Sequence, residues 1–96
     1  MIFRSHALAE FWGCYDALPE AIQEQADKQY ALFAANPNHP SLRLKPRGPY
    51  WCVRVSHGYR ALARLKDKDF FWFWIGPHDE YERILKAGRS GRAILN

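Results

Sequence analysis

A chain of 96 residues is long enough for one domain and too short for a second with its own core. Its composition, 48% hydrophobic and 16% aromatic, excludes a disordered protein. The longest apolar run, Phe70 to Ile75, is too short to span a bilayer, and no targeting segment is evident, so we expect a cytoplasmic protein without membrane contact. Cys14 and Cys52 are then interpreted as free thiols in a reducing compartment.

The net charge of +4 is unevenly distributed along the chain. Residues 1–40 carry a net charge of −3, and residues 67–82 carry −4. Residues 41–66, which lie between these two segments, carry a net charge of +7 and contain no acidic residue. Residues 83–96 carry +4. A block of one sign within an ordered region is typical of a surface that binds a polyanion. A solvated basic face is the alternative interpretation.

The N-terminal half predicts two helices that pack as an antiparallel hairpin. After a short edge strand at residues 1–4, apolar residues recur at helical spacing over residues 8–18. Pro19 suits the first turn of a second helix, because a missing N–H costs nothing there. The segment 36–40 contains two prolines and two asparagines, and it should end that helix.

The C-terminal half changes to the two-residue period of β-strands. The predicted strands are 42–45, 50–55, 59–66 and 70–75, and the predicted final helix is 79–86. A hairpin connection at residues 56–58 joins the two alternating strands, and residues 70–75 predict a central strand buried on both faces. We therefore expect an α+β fold, in which a helical hairpin packs on a small antiparallel sheet, as a single domain over residues 1–96 with a loose tail at 88–96.

Two arginines are predicted to face each other across the central hairpin. With a three-residue connection at 56–58, Arg54 lies opposite Arg60, and Arg64 lies further along on the same face. Like charges in that position cost about 0.2–1 kcal/mol, which an anion held between two guanidinium groups would offset. Pairing of each arginine with a nearby carboxylate is the alternative, and a two-residue connection would separate the pair.

His78 is the candidate acid–base residue. It follows Gly76-Pro77, where a strand ends and a helix begins, and such positions are exposed on rigid supports. Histidine is the usual general acid or base near neutral pH, although a single histidine can also be a plain helix-end residue. The four histidines and two cysteines show no metal-ligand spacing, so we predict neither a metal nor another cofactor.

Three segments in a fixed order carry a family resemblance. They are Asn36-Pro-Asn-His-Pro-Ser-Leu-Arg-Leu-Lys45, Tyr50-Trp-Cys-Val-Arg-Val-Ser-His-Gly-Tyr-Arg60 and Phe73-Trp-Ile-Gly-Pro-His-Asp-Glu-Tyr81. Together they resemble the RelE/ParE superfamily of bacterial type II toxins, and the likeness covers nearly the whole chain. The resemblance implies the same order of elements: a helical hairpin, antiparallel strands and a terminal helix.

Most studied RelE-like members are ribosome-dependent endoribonucleases, so the resemblance also implies roles for residues. Arg60 matches the arginine that contacts the scissile phosphate, and Arg54 matches a basic residue of the preceding strand once one hairpin residue is gapped. His78 matches the catalytic basic position after the strand-ending Ile-Gly. Tyr81 is a weaker match, because the functional aromatic residue of many relatives lies further along the chain. The predicted RNA-binding residues are Lys45, Arg64, Arg43 and His57.

The implied function is that of a toxin of a type II toxin–antitoxin pair, which cleaves mRNA on the ribosome without a metal ion and so inhibits translation. A ParE-like inhibitor that binds DNA gyrase without cutting RNA is the main alternative. An inactive relative that keeps only antitoxin binding is the third interpretation. The partners implied are an antitoxin protein, with which the chain would form a hetero-oligomer, and mRNA.

Overall fold

The computed structural model describes residues 3–90, with side chains as far as residue 87, and these residues form one five-stranded sheet with helices on both faces. In chain order the elements are β1 (Arg4–Ala7), α1 (Ala9–Asp16), α2 (Glu20–Ala35), β2 (Lys45–Arg47), β3 (Tyr50–Ser56), β4 (Tyr59–Lys66), β5 (Asp69–Pro77) and α3 (His78–Ser90). A 3₁₀ turn at Pro40–Leu42 connects α2 to β2. No helix among the described residues is long and apolar enough to cross a membrane.

The strand order in the sheet is β1-β5-β4-β3-β2. The β2–β3, β3–β4 and β4–β5 pairs are antiparallel, as predicted, and β1 adds a parallel pairing to β5. The α+β fold is therefore confirmed, with a sheet that is mixed at one edge. The strand predicted to be central, β5, lies between β1 and β4, so the middle position belongs to β4.

The sheet separates two apolar cores, which the alternation of β3 and β4 predicts. Val53 and Ala61 lie in a core that α1 and α2 cover. Cys52 and Leu62, one residue along on each strand, lie in a second core on the opposite face, under α3. Because successive side chains of a strand point to opposite faces, these two strands supply both cores. The face under α3 is called the α3 face below.

Both edge strands of the sheet begin later in the chain than predicted. The edge strand is predicted at residues 1–4, but β1 begins at Arg4, where the backbone N–H of Arg4 donates to the carbonyl of Lys68 at 2.8 Å. The predicted position of β2, residues 42–45, is also wrong, because β2 spans Lys45–Arg47. Leu42 is buried at the end of the 3₁₀ turn, and Arg43 takes a left-handed backbone conformation (φ 48°), so extended chain resumes only at Lys45.

The final helix is longer than predicted. The sequence predicts it over residues 79–86, but α3 runs from His78 to Ser90. Tyr81 and Leu85, one turn apart, pack in the second core and hold the helix against the sheet. Of the tail predicted at 88–96, residues 88–90 are therefore helical, and residues 91–96 lie outside the described part of the chain.

One carboxylate joins the parallel edge strand to β5. Asp69 lies opposite Arg4 in the strand register and accepts two hydrogen bonds from its guanidinium, at 2.7 and 2.9 Å. His6 Nε2 lies 2.8 Å from the same carboxylate, and its ring stacks on Phe71 with 5.0 Å between centroids. The hydrogen bond from Arg4, followed by that from His6, lowers the pKa of Asp69 to about 2. The stability of this edge of the sheet therefore depends on pH, because it is lost when Asp69 is protonated.

Asp69→Asn should weaken the attachment of β1. The unfolded chain has an aspartate pKa of about 4, so the lowered pKa stabilises the folded state above pH 4 and this contribution disappears as the pH falls through about 2. We expect the variant to unfold at a lower urea concentration than the wild type at pH 7, as measured by tryptophan fluorescence, and the difference to close towards pH 2. Glu24→Gln, which removes an exposed carboxylate on α2, is the control. A difference that persists unchanged to pH 2 would contradict the assignment.

Candidate functional site

Arg54 and Arg60 lie opposite each other in the β3–β4 ladder, as predicted, but the connection differs from the expected one. Ladder pairing continues to the residues on either side of His57-Gly58, so the turn has two residues instead of three. Val55 is left without a partner and forms a β-bulge. A two-residue turn alone would have separated the two arginines, and the extra residue of the bulge restores their register. The bulge therefore decides which residue faces Arg60.

The guanidinium of Arg60 is bound by the carbonyl groups of its own hairpin. Its Nη1 donates to the carbonyls of Ser56 at 2.7 Å, Tyr59 at 2.9 Å and His57 at 3.2 Å. Neither the Nε nor the Nη2 of Arg60 has a hydrogen bond to another described residue, and neither Arg54 nor Arg60 forms an ion pair within that part of the chain. The alternative of carboxylate pairing is thus absent there, and carbonyl oxygens offset part of the repulsion between the two arginines.

His78 is attached to the same hairpin turn. It is the first residue of α3, and its backbone N–H donates to the carbonyl of Gly58 at 2.9 Å. Its side chain is 45% exposed, with Nε2 3.6 Å from Glu82 Oε2 and the ring centroid 5.1 Å from that of Tyr81. The glutamate and the tyrosine ring restrict the imidazole from two sides. Arg60 and His78, which are distant in sequence, are therefore both held by the backbone of residues 56–59.

Gly76 makes room beside Arg60. It is buried, and it lies opposite Arg60 in the β4–β5 register. A Cβ atom added to Gly76 would lie 2.6 Å from Cζ2 of Trp74, because the indole ring packs over the glycine backbone. The strand-ending glycine of the sequence motif therefore permits the Trp74 ring to occupy this part of the α3 face.

Tyr81 lies in the second core rather than on the surface. Its side chain is 2% exposed, and burial followed by a hydrogen bond with Cys52 raises the pKa of its hydroxyl to about 12. A phenol with so high a pKa stays protonated near neutral pH, and the side chain is shielded from solvent. The structure therefore places Tyr81 beneath His78 as a packing contact.

The four candidate RNA-binding residues are all exposed, but they lie in different places. Lys45 is opposite the buried Cys52 in register, and Arg64 lies with its guanidinium carbon 4.3 Å from the centroid of Phe73, so both belong to the α3 face. His57 lies at the hairpin turn. Arg43 lies instead beside α2, where Arg54 also lines a surface depression. The structure therefore joins Lys45, Arg64 and His57 to the Arg60 side, and places Arg43 apart from them beside α2.

Arg47 belongs to the α3 face, and sequence analysis did not select it. Burial raises the pKa of the Cys52 thiol, and the hydrogen bond with Tyr81, followed by the positive charges of Arg60, Lys45 and Arg47, acts against that rise. Arg47 is opposite Tyr50, a residue of the second core. Its membership of the basic block of residues 41–66 was the sequence signal that could have identified it.

The described residues contain no group of three or more His, Cys, Asp or Glu side chains arranged to hold a metal ion. The side chains that the site offers to a ligand are cationic, together with the imidazole of His78, the carboxylate of Glu82 beside it and surrounding aromatic rings. Such a surface suits an anion with several oxygen atoms, which guanidinium groups bind in a fork.

Two thirds of the chain match the sequence model of a known family. The family model of the ParE-like toxin domain matches residues 20–83, which run from the start of α2 into α3. The chain belongs to the ParE-like toxin domain family. This assignment confirms the resemblance to the RelE/ParE superfamily. No curated protein sequence matches the chain significantly.

Solved structures of toxins share the fold of this ParE-like domain. YafQ from E. coli has a TM-score of 0.66 at 13% identity, with 82% of this chain and 97% of YafQ covered. A double mutant of E. coli toxin RelE in the free state has a TM-score of 0.63 at 17% identity, with 97% and 99% covered. The RelB–RelE antitoxin–toxin complex from Methanococcus jannaschii contains a chain with a TM-score of 0.62 at 14% identity, with 82% and 96% covered. At these identities the likeness shows the fold.

Gly76→Ala should destabilise the protein by about 1–3 kcal/mol, a cost typical of overpacking, because the added methyl group would press on Trp74. Urea unfolding measures this loss, and a changed near-UV circular dichroism spectrum would report the displaced indole. Gly13→Ala in α1 is the matched control, since a Cβ atom added there would meet nothing within 4 Å and alanine favours a helix by up to about 1 kcal/mol. Equal stability of the two variants would contradict the close packing.

Proposed function

We propose that this ParE-like domain is the toxin of a toxin–antitoxin pair and that it cleaves mRNA on the ribosome without a metal ion. The observation that carries the proposal is the attachment of Arg60 and His78 to one hairpin turn. Arg60 donates to the carbonyls around that turn, and the backbone of His78 donates to the carbonyl of Gly58. A cation and an acid–base group held on one rigid support are what phosphate-ester cleavage requires.

The proposed reaction is attack of a ribose 2′-OH on the adjacent phosphorus. Neutral His78 takes the proton of the 2′-OH, the O2′–P bond forms, the P–O5′ bond breaks, and water protonates the departing 5′ oxygen. The Nε and Nη2 donors of Arg60 bind the phosphate oxygens as negative charge develops there. Arg54, opposite Arg60 in the ladder, adds a second positive charge.

The other residues of the α3 face position the RNA rather than react with it. Arg64 and Lys45 are exposed cations on that face, and they suit contacts with the phosphate backbone, which fix position without reading sequence. Glu82 and Tyr81 restrain the imidazole of His78. Tyr81 is left out of the acid–base chemistry because its hydroxyl is buried.

A toxin that binds DNA gyrase without cleaving RNA is the second candidate. The burial of Tyr81 favours it, because the α3 face then offers one acid–base side chain where a separate base and acid would be faster. The family description, which names the ParE-like toxins, also favours it. The two candidates differ in their need for His78, since binding alone does not require a proton-transfer group.

An antitoxin protein is the proposed partner. The similar RelE chain from Methanococcus jannaschii is described in complex with its antitoxin RelB. The block of charge +7 in residues 41–66 suits a partner segment rich in acidic residues, which would cover the same cations that we assign to RNA. Such a partner would neutralise the toxin by occupying the site.

The decisive experiment is primer extension on a reporter mRNA in a bacterial translation extract. We expect the wild-type protein to produce new RNA ends and His78→Gln, which keeps a polar side chain of similar reach, to reduce cleavage by about 10²–10⁴-fold. Tyr81→Phe should cleave at close to the wild-type rate, because it keeps the ring that supports His78. Equal activity of His78→Gln and the wild type would exclude the assigned chemistry.

Arg60→Ala should reduce cleavage by about 10²–10³-fold, the effect typical of losing one donor to a developing anion. Because Arg60 also binds the turn, urea unfolding of this variant must accompany the assay. Cleavage by a folded Arg60→Ala protein at the wild-type rate would exclude the role of Arg60. If the wild-type protein makes no cuts and inhibits supercoiling by purified DNA gyrase, the second candidate replaces the first.

A further inference from the structure

A second cationic surface lies where α2 and the 3₁₀ turn meet β3. It is a depression of about 540 Å³ between α2, the 3₁₀ turn and β3. Its lining residues are Gln25, Lys28, Gln29, Pro40, Ser41, Arg43, Arg54 and Val55. Three of them are cationic and none is acidic, although Lys28 comes from the segment of the chain whose net charge is negative.

The three cations of the depression are free to bind an external anion. Lys28 and Arg43 are exposed and Arg54 is half-buried, and none of them forms an ion pair within residues 3–87. Glu24 lies one helical turn before Lys28, at a spacing that favours pairing, yet the two do not approach within 4 Å. Like charges gathered without a counter-charge repel one another, so a bound anion would stabilise this arrangement.

One glutamine holds the walls of the depression together. The side-chain Nε2 of Gln29 donates to the carbonyl of Arg54 at 2.8 Å and lies 3.3 Å from the carbonyl of Ser41, so it links α2 to both β3 and the 3₁₀ turn. Arg43, next in the chain after that turn, has the left-handed conformation that directs the backbone from the turn towards β2. The side chains that could bind an anion are therefore attached to a fixed frame.

Arg54 connects the depression to the candidate active site. It lines the depression, and it is also the ladder partner of Arg60, whose hairpin carries His78. Arg54 is therefore shared by the depression and the ladder that carries Arg60. A ligand with a single anionic group would bind at one of the two surfaces, whereas a chain of phosphates could reach both.

We propose that the depression formed by Lys28, Arg43 and Arg54 binds the phosphate backbone of single-stranded RNA next to the segment that is cleaved. This inference rests on the proposed function, because it extends the RNA path away from the reacting phosphate. Guanidinium and ammonium groups bind phosphate oxygens without selecting a base, so the depression should contribute affinity and a dependence on salt, and no sequence preference.

The test measures binding of a short 2′-O-methyl RNA by fluorescence anisotropy between about 50 and 200 mM salt. This RNA lacks the attacking hydroxyl, so binding is observed without cleavage. The variant is Lys28→Ala combined with Arg43→Asn, because asparagine tolerates the left-handed backbone of residue 43. The matched control is Lys66→Ala with Lys68→Ala, which removes the same charge from exposed positions at the β4–β5 turn.

We expect the depression variant to bind the RNA several-fold more weakly than the control, and the slope of log K against log salt to become shallower by about 1.4, or 0.7 for each lost phosphate contact. Equal affinities and slopes for the two variants would overturn the proposal. A second result would also overturn the proposal: the depression variant loses binding to poly-glutamate but still binds RNA as the control does. The depression would then fit an acidic protein segment.

Failure of the proposed function can be told apart from failure of this inference. If the wild-type protein binds this RNA through the depression and yet cleaves no mRNA, the inference stands and the nuclease assignment falls. If cleavage occurs and the depression variant matches its control in RNA binding, the nuclease assignment stands and the inference falls.

Discussion

The hydrogen bonds around the β3–β4 turn are the interaction on which the candidate site depends. Carbonyl groups of residues 56–59 accept from the guanidinium of Arg60 and from the backbone N–H of His78. These bonds join the start of β4 to the start of α3, and charge-assisted bonds from a guanidinium are stronger than neutral ones. The bulge at Val55 sets the register on the other side of the same turn. A change in the turn would therefore alter the two catalytic candidates together.

A sheet with a core on each face imposes a second constraint. Strands β3 and β4 must supply apolar side chains to both sides, so the cations on the α3 face lie beside buried residues instead of on an open polar surface. The neighbouring core residues give the cations fixed contacts. The guanidinium of Arg64, for example, packs on the ring of Phe73. It also removes Tyr81 from solvent, so His78 remains the acid–base candidate. The second core therefore supports the candidate site through the contact between Tyr81 and His78.

The two cationic surfaces meet at one ladder pair. Arg54 belongs to the depression beside α2, and Arg60 belongs to the hairpin and the α3 face. Both surfaces could serve RNA, and both could be covered by an antitoxin with acidic segments. Arg43, Arg54 and Arg60 come from the basic block of residues 41–66, whereas Lys28 comes from α2.

The sequence alone was sufficient for the features that depend on local periodicity and on charge. The alternation in residues 50–55 and 59–66 predicted both faces of the hairpin, and the basic block predicted where positive charge would collect. Tertiary structure decided what depends on contacts between distant segments. It brought Lys28 from an acidic segment to Arg54, it covered Tyr81, and it replaced a three-residue connection by a shorter turn with a bulge. Periodicity reports which side of its own element a residue occupies, whereas packing between elements determines what lies across from it.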